Sequence, residues 1–92
     1  MNRSELIAII ADEHADELTK KSIELTLDSL FKNIQEALVN DDKVVISGFG
    51  TFEVRTRVAR IGRNPRTGEP INIPGQKSPA FRAGRGLKEA VR

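Results

Sequence analysis

Cysteine, tryptophan and tyrosine are absent from this chain, and histidine and methionine occur once each. No disulfide can staple the fold, and a lone His14 with no thiol beside it cannot assemble a zinc-type ligand set. No metal and no cofactor are therefore expected. His14 also has no cysteine or serine partner for nucleophilic work, and no acid–base pair stands out elsewhere, so an enzyme is not expected. Asp12, Glu13, Asp16 and Glu17 are clustered but lack the glycine and the spacing of a calcium loop, which makes them a solvated helix end. No apolar run approaches the roughly 18 residues that span a bilayer. The opening Met-Asn-Arg-Ser-Glu-Leu carries no signal-peptide core. A soluble, cytoplasmic protein without membrane contact is the expectation.

What is present divides sharply. Residues 1–47 hold five Lys/Arg against ten Asp/Glu, a balance of −5, and residues 48–92 hold ten against three, a balance of +7. An acidic body with a basic working surface follows. The basic charge concentrates in Arg55–Gly68, which carries Arg55, Arg57, Arg60, Arg63 and Arg66 and no acid. Val54, Thr56 and Val58 alternate there with Arg55, Arg57 and Ala59, the period of a strand with two unlike faces. The stretch ends in turn formers around Pro65, so it reads as one leg of a β-ribbon that touches a polyanion.

The rest of the chain reads as α-α-β-β-β-α, an α+β fold. Asn2 and Glu5 fit a capping box opening a helix to about Glu13. Thr19 caps a second helix, whose apolar residues Ile23, Leu27, Leu30, Phe31, Ile34, Ala37 and Leu38 recur at three- and four-residue steps. Asn40-Asp41-Asp42 ends it. Val44–Ile46 reads as a buried strand, and Gly48-Phe49-Gly50 bends the chain into a strand from Thr51 to about Arg60. Gly62–Gly68 is the tip. Ile71 and Ile73, flanked by Pro70 and Pro74, belong to a returning strand ending near Arg82. A short helix with Leu87, Ala90 and Val91 follows, and Gly86 inside it makes it dependent on packing. With residues 55–78 committed to a ribbon, fewer than 70 residues remain for a core. So small a unit needs a partner chain, and an obligate homodimer is expected.

The motif Gly48-Phe49-Gly50-Thr51-Phe52, then Arg57, Arg60 and Gly62-Arg63-Asn64-Pro65-Arg66-Thr67-Gly68, closely resembles the bacterial histone-like DNA-binding proteins, HU and the related integration host factor. Asn2–Leu6 and Pro79–Gly84 followed by Leu87-Lys88 extend the likeness over essentially the whole chain. Ile71–Pro74 and Ala83-Gly84-Arg85 look closer to HU, while the Glu13–Thr19 connection is a residue or two longer than usual there. The resemblance implies one domain over residues 1–92, an intertwined dimer. Its parts would be a helical body with the first strand (1–47), a three-stranded antiparallel sheet with a protruding two-stranded arm (48–83, arm about 55–78) and a C-terminal helix (84–92). It also implies a nucleoid-associated protein that binds duplex DNA through the minor groove with little sequence preference, and bends and compacts it.

Under that resemblance Pro65 becomes a wedge between base pairs, where a proline in an arbitrary hairpin would only shape the turn. Arginine at all five ribbon positions suits phosphate forks and a narrow minor groove. Asn64 and Thr67 would add hydrogen bonds to sugar or base edges. Arg3, Lys77, Arg82, Arg85 and Lys88 would hold flanking DNA on the body, the alternative being ordinary solvated charge. Phe49, Phe52 and Phe81, with Leu27, Leu30, Phe31 and Ile34, would form the dimer core, since no aromatic lies on the ribbon to stack bases. The competing readings are a subunit of a site-selective heterodimer like integration host factor, a basic-hairpin protein binding RNA, and a module for an acidic protein or polysaccharide.

Overall fold

The computed structural model describes residues 1–92, in two compact units, residues 1–36 and 37–92. The first contains α1 (Arg3–Glu13) and most of α2 (Lys20–Val39). Both helices start where side chains satisfy free N–H groups. Asn2 Oδ1 accepts from the Glu5 amide at 2.9 Å. Thr19 Oγ1 accepts from the Ser22 amide while Ser22 Oγ accepts from the Thr19 amide, both at 3.1 Å. That is a reciprocal capping box with serine in the place usually taken by Glu or Gln. Ile7, Ile23 and Ile34 are buried. Ile10, Leu18, Ile23 and Leu27 line a shallow apolar groove in this unit.

In the second unit α2 closes with Asp42 N–H donating to Ala37 C=O (2.9 Å) and Asp41 N–H to Leu38 C=O (3.0 Å), with Asp41 at φ 57°. This is the crossed pair of a Schellman ending, with aspartate accepting the left-handed position usually given to glycine. β1 (Val44–Ile46) follows, then a turn in which Phe49 N–H donates to Ile46 C=O and Gly48 takes φ 79°. β1, β2 (Gly50–Arg57) and β5 (Gln76–Ala83) form an antiparallel sheet in that order. β3 (Arg60–Arg63) and β4 (Pro70–Ile73) form a separate antiparallel pair. The final helix, α3, covers Arg85–Val91. A Cβ on its Gly86 would stand 2.6 Å from the Gly48 carbonyl oxygen. That close approach is the packing on which so short a helix with a glycine depends.

The long strand expected from Thr51 to Arg60 is interrupted. Pairing stops at Arg57↔Gln76 and resumes at Arg60↔Ile73, so Val58-Ala59 on one leg faces Pro74-Gly75 on the other. The same number of residues is skipped on both sides, and the register therefore passes through the gap without a slip. Pro74 has no N–H to donate, which accounts for an opening there. Five strands thus stand where three were expected, because each leg of the one hairpin running from Gly50↔Ala83 to Arg63↔Pro70 is split in two, with β1 outside it.

Candidate nucleic-acid interface

Alternation gives the β2–β5 ladder two chemically distinct faces. Phe52↔Phe81 and Val54↔Pro79 lie on one, Thr51↔Arg82, Glu53↔Ala80, Arg55↔Ser78 and Arg57↔Gln76 on the other. On the apolar face the Phe81 ring stands 4.9 Å from Phe52 and 5.7 Å from Phe49, both tilted. It also lies over Gly50, where a Cβ would meet the ring at 2.4 Å. The three phenylalanines expected in a dimer core lie together within the single chain. Phe49 and Phe81 nevertheless remain 48% and 40% exposed, and on α2 Phe31 is 53% exposed. Of the other residues expected in a dimer core, Leu27 is half-buried, Leu30 exposed and Ile34 buried.

Arg55, Arg57 and Arg82 share the polar face. In β3 the alternation separates Arg60 from Arg63, which sit opposite Ile73 and Pro70 respectively. The outer half of the ribbon is thus basic on both sides, an arrangement suited to a groove with a phosphate wall on either flank. Val58 and Ile61, 78% and 73% exposed, place apolar side chains among these arginines. Val58 is one of the apolar positions that alternate with the arginines in the sequence, and lies in the gap between β2 and β3, whereas Ile61 was not singled out.

The tip is built by the rules of a helix turn. Asn64 C=O accepts from Gly68 N–H at 2.8 Å, and Gly68 takes φ 74°. Asn64 Oδ1 accepts from Arg66 N–H at 2.9 Å, and Asn64 N–H donates to Glu69 C=O at 2.8 Å. Asparagine thus stands at an N-cap, proline at the first helical position, and glycine in the left-handed closing position. Pro65 is exposed at this turn. Thr67 Oγ1 accepts from Glu69 N–H at 3.3 Å, and Arg63 Nη1 donates to Gly68 C=O at 3.3 Å. Asn64, Thr67 and Arg63, all expected to face a ligand, spend hydrogen-bonding capacity on the tip itself. Arg66 is exposed beside the proline.

The remaining basic residues are dispersed. Lys77 pairs with Thr56 on the ladder face opposite Arg55, and its Nζ lies 2.9 Å from Asp41 Oδ2. Arg3 is held against Asp28, and Arg85 Nε lies 3.0 Å from Glu89 Oε1 one turn along α3, which also carries the exposed Lys88. All these pairs are solvent-exposed and weak enough to be exchanged for phosphates. Glu53, which did not stand out in the sequence, lies among the arginines of the polar face; its two-residue spacing from Arg55 is the signal that places it there.

Across residues 1–92 the chain matches the family model described as bacterial DNA-binding protein. It belongs to that family. It is 54% identical over 91 residues to DNA-binding protein HU 1 of Bacillus subtilis, covering 99% of this chain and 97% of the relative. It is 52% identical to DNA-binding protein HU of Staphylococcus aureus over the full length of both. Among solved structures, an Anabaena HU–DNA cocrystal structure matches with TM-score 0.80 and 43% identity, covering 99% of this chain and 97% of that one. HU from Thermotoga maritima matches with TM-score 0.69 and 33% identity over the whole of both chains. The helices, antiparallel sheet and hairpin of this chain are those of HU, and no helix is long and apolar enough to cross a membrane.

Proposed function

We propose that this chain is an architectural DNA-binding protein of the HU kind, acting as a homodimer whose two arms enter the minor groove and bend the duplex. The observation that carries the reading is the hairpin itself: an uninterrupted register that ends in a rigid, exposed proline and is basic on both sides of its outer half. A leg of about ten residues extends roughly 33 Å at strand rise, enough to follow a groove around one side of a duplex. The groove presents a degenerate pattern, so binding is largely indifferent to sequence. Unstacking a base step at Pro65 costs a few kcal/mol, offset when the bent duplex meets more protein. Exposed arginine and lysine on the body, Arg3, Arg82, Arg85 and Lys88 among them, then hold the flanking backbone.

A second copy is part of the proposal because the chain alone leaves Phe31, Phe49 and Phe81 substantially exposed and buries only Ile7, Ile23 and Ile34 as its apolar core. That balance fits a fold completed by another protomer. A site-selective heterodimer is not favoured, since the relatives at 52–54% identity are HU proteins.

A salt titration of duplex binding tests the reading. With about eight phosphates neutralised per dimer, log affinity falls against log salt with a slope near −7. A slope shallower than about −2 contradicts it, and preference for structured RNA over duplex DNA in competition transfers the interface to the RNA-binding class.

A further inference from the structure

Glu53 is the one acid on the polar face of the β2–β5 ladder, where its companions are Thr51, Arg55, Arg57, Gln76, Ser78, Ala80 and Arg82. Its Oε1 lies 3.4 Å from Arg82 Nη2, and its Oε2 lies 4.0 Å from Arg55 Nε. Oε1 is sealed from solvent yet accepts no hydrogen bond, so its contact with Arg82 is one of charge alone. The Glu53 side chain is 25% exposed, while those of Arg55 and Arg82 are 61% and 59% exposed. A largely covered anion held loosely between two accessible cations is poorly explained as a stabilising ion pair. A carboxylate and a phosphate present similar acceptor oxygens to a guanidinium fork.

We propose that Arg55 and Arg82 form a phosphate site on the sheet, and that Glu53 occupies it as a tethered counter-ion in the free protein, restraining DNA affinity. The inference rests on the reading of this chain as DNA-binding. A backbone phosphate arriving at the site takes over the guanidinium groups and meets a carboxylate that cannot leave. The site then offers a net charge of +1, where Arg55 and Arg82 without Glu53 would offer +2. Glu53 thereby limits how tightly DNA is held against the body, separately from the grip of the arms.

The test compares Glu53→Gln with Glu24→Gln, the same change of charge made on α2, by titrating a fluorescent duplex at several salt concentrations. Glu53→Gln tightens binding at low salt by roughly fourfold per protomer, the scale of one charge pair about 5 Å apart in a watery medium. It also steepens the salt slope by up to about 1 per protomer. Glu24→Gln leaves the slope at the wild-type value. Arg82→Gln then costs more affinity in the Glu53→Gln background than in wild type. Equal behaviour of the two acid variants, or weaker binding by Glu53→Gln, overturns the inference. Wild-type protein that binds duplex without steep salt dependence fails the underlying reading instead, so the two failures are distinct. Coincident thermal unfolding of wild type and Glu53→Gln confirms that the same fold is being compared, and the Arg82 comparison holds within each background if it shifts.

Discussion

Asn64 shows how one residue can decide what its neighbour does. Through its amide, carbonyl and side-chain oxygen it closes three hydrogen bonds of the tip, and Pro65 is presented by the turn they define. A wedge fixed in place before binding loses less entropy on insertion than one that must be ordered first. Replacing the side-chain cap costs about 1 kcal/mol by Asn→Ala and little by Asn→Ser. Asn64→Ala should therefore speed amide exchange at Arg66 in the free protein roughly fivefold and weaken selectivity for distorted duplex, and Asn64→Ser should restore both. If alanine and serine lose selectivity alike while the turn stays protected, the amide of Asn64 acts on DNA directly. The sequence marked Asn64, Pro65 and Gly68 as turn residues, but the resemblance drew Asn64 and Thr67 towards the ligand. Their use within the turn depends on distances that residue types do not supply.

At the scale of elements, the interrupted ladder was the part hardest to anticipate. Period-two alternation runs without a break from Val54 to Ala59, so the pattern of β2 gives no sign that pairing stops at Arg57. The cause lies on the opposite leg, in Pro74 and Gly75. A Cβ on Gly75 would fall 2.8 Å from the Arg57 carbonyl oxygen and 3.1 Å from the Ala59 nitrogen, both backbone atoms with little freedom to yield. Gly75→Ala should push the legs apart at the gap, at a cost of about 1–3 kcal/mol typical of overpacking. Hydrogen exchange of the β3–β4 amides reports it as a loss of protection of about tenfold or more, with β1–β2 amides unchanged. Unchanged β3–β4 protection would show that the gap absorbs the methyl group and that the close approach is not a constraint. The helices, by contrast, were legible throughout. The caps of α1 and α2 are local, and the three- and four-residue spacing from Ile23 to Leu38 survives any tertiary arrangement.

For the whole molecule, the division of charge between residues 1–47 and 48–92 and the shortage of buried apolar side chains give the same picture. A small sheet unit carries the basic hairpin, and large apolar side chains on the helices and sheet, Phe31, Phe49 and Phe81 among them, stay exposed in the single chain, as the proposed homodimer requires. The sequence pointed to a partner through absence, since a chain this small has no cysteine and no cluster of metal ligands to stabilise it. It could not show which phenylalanines stay accessible, because that depends on how the Phe49, Phe52 and Phe81 rings share the apolar face. The most direct test of the whole account is energy transfer between dyes at the two ends of a duplex of about 30 base pairs, with the purified chain alone and at saturating protein. Wild-type protein should bring the ends together, and Pro65→Ala should bind with similar affinity while leaving them substantially farther apart. Bound duplexes that stay straight with wild-type protein, or that bend equally with Pro65→Ala, would contradict the wedge-tipped arm as the source of bending.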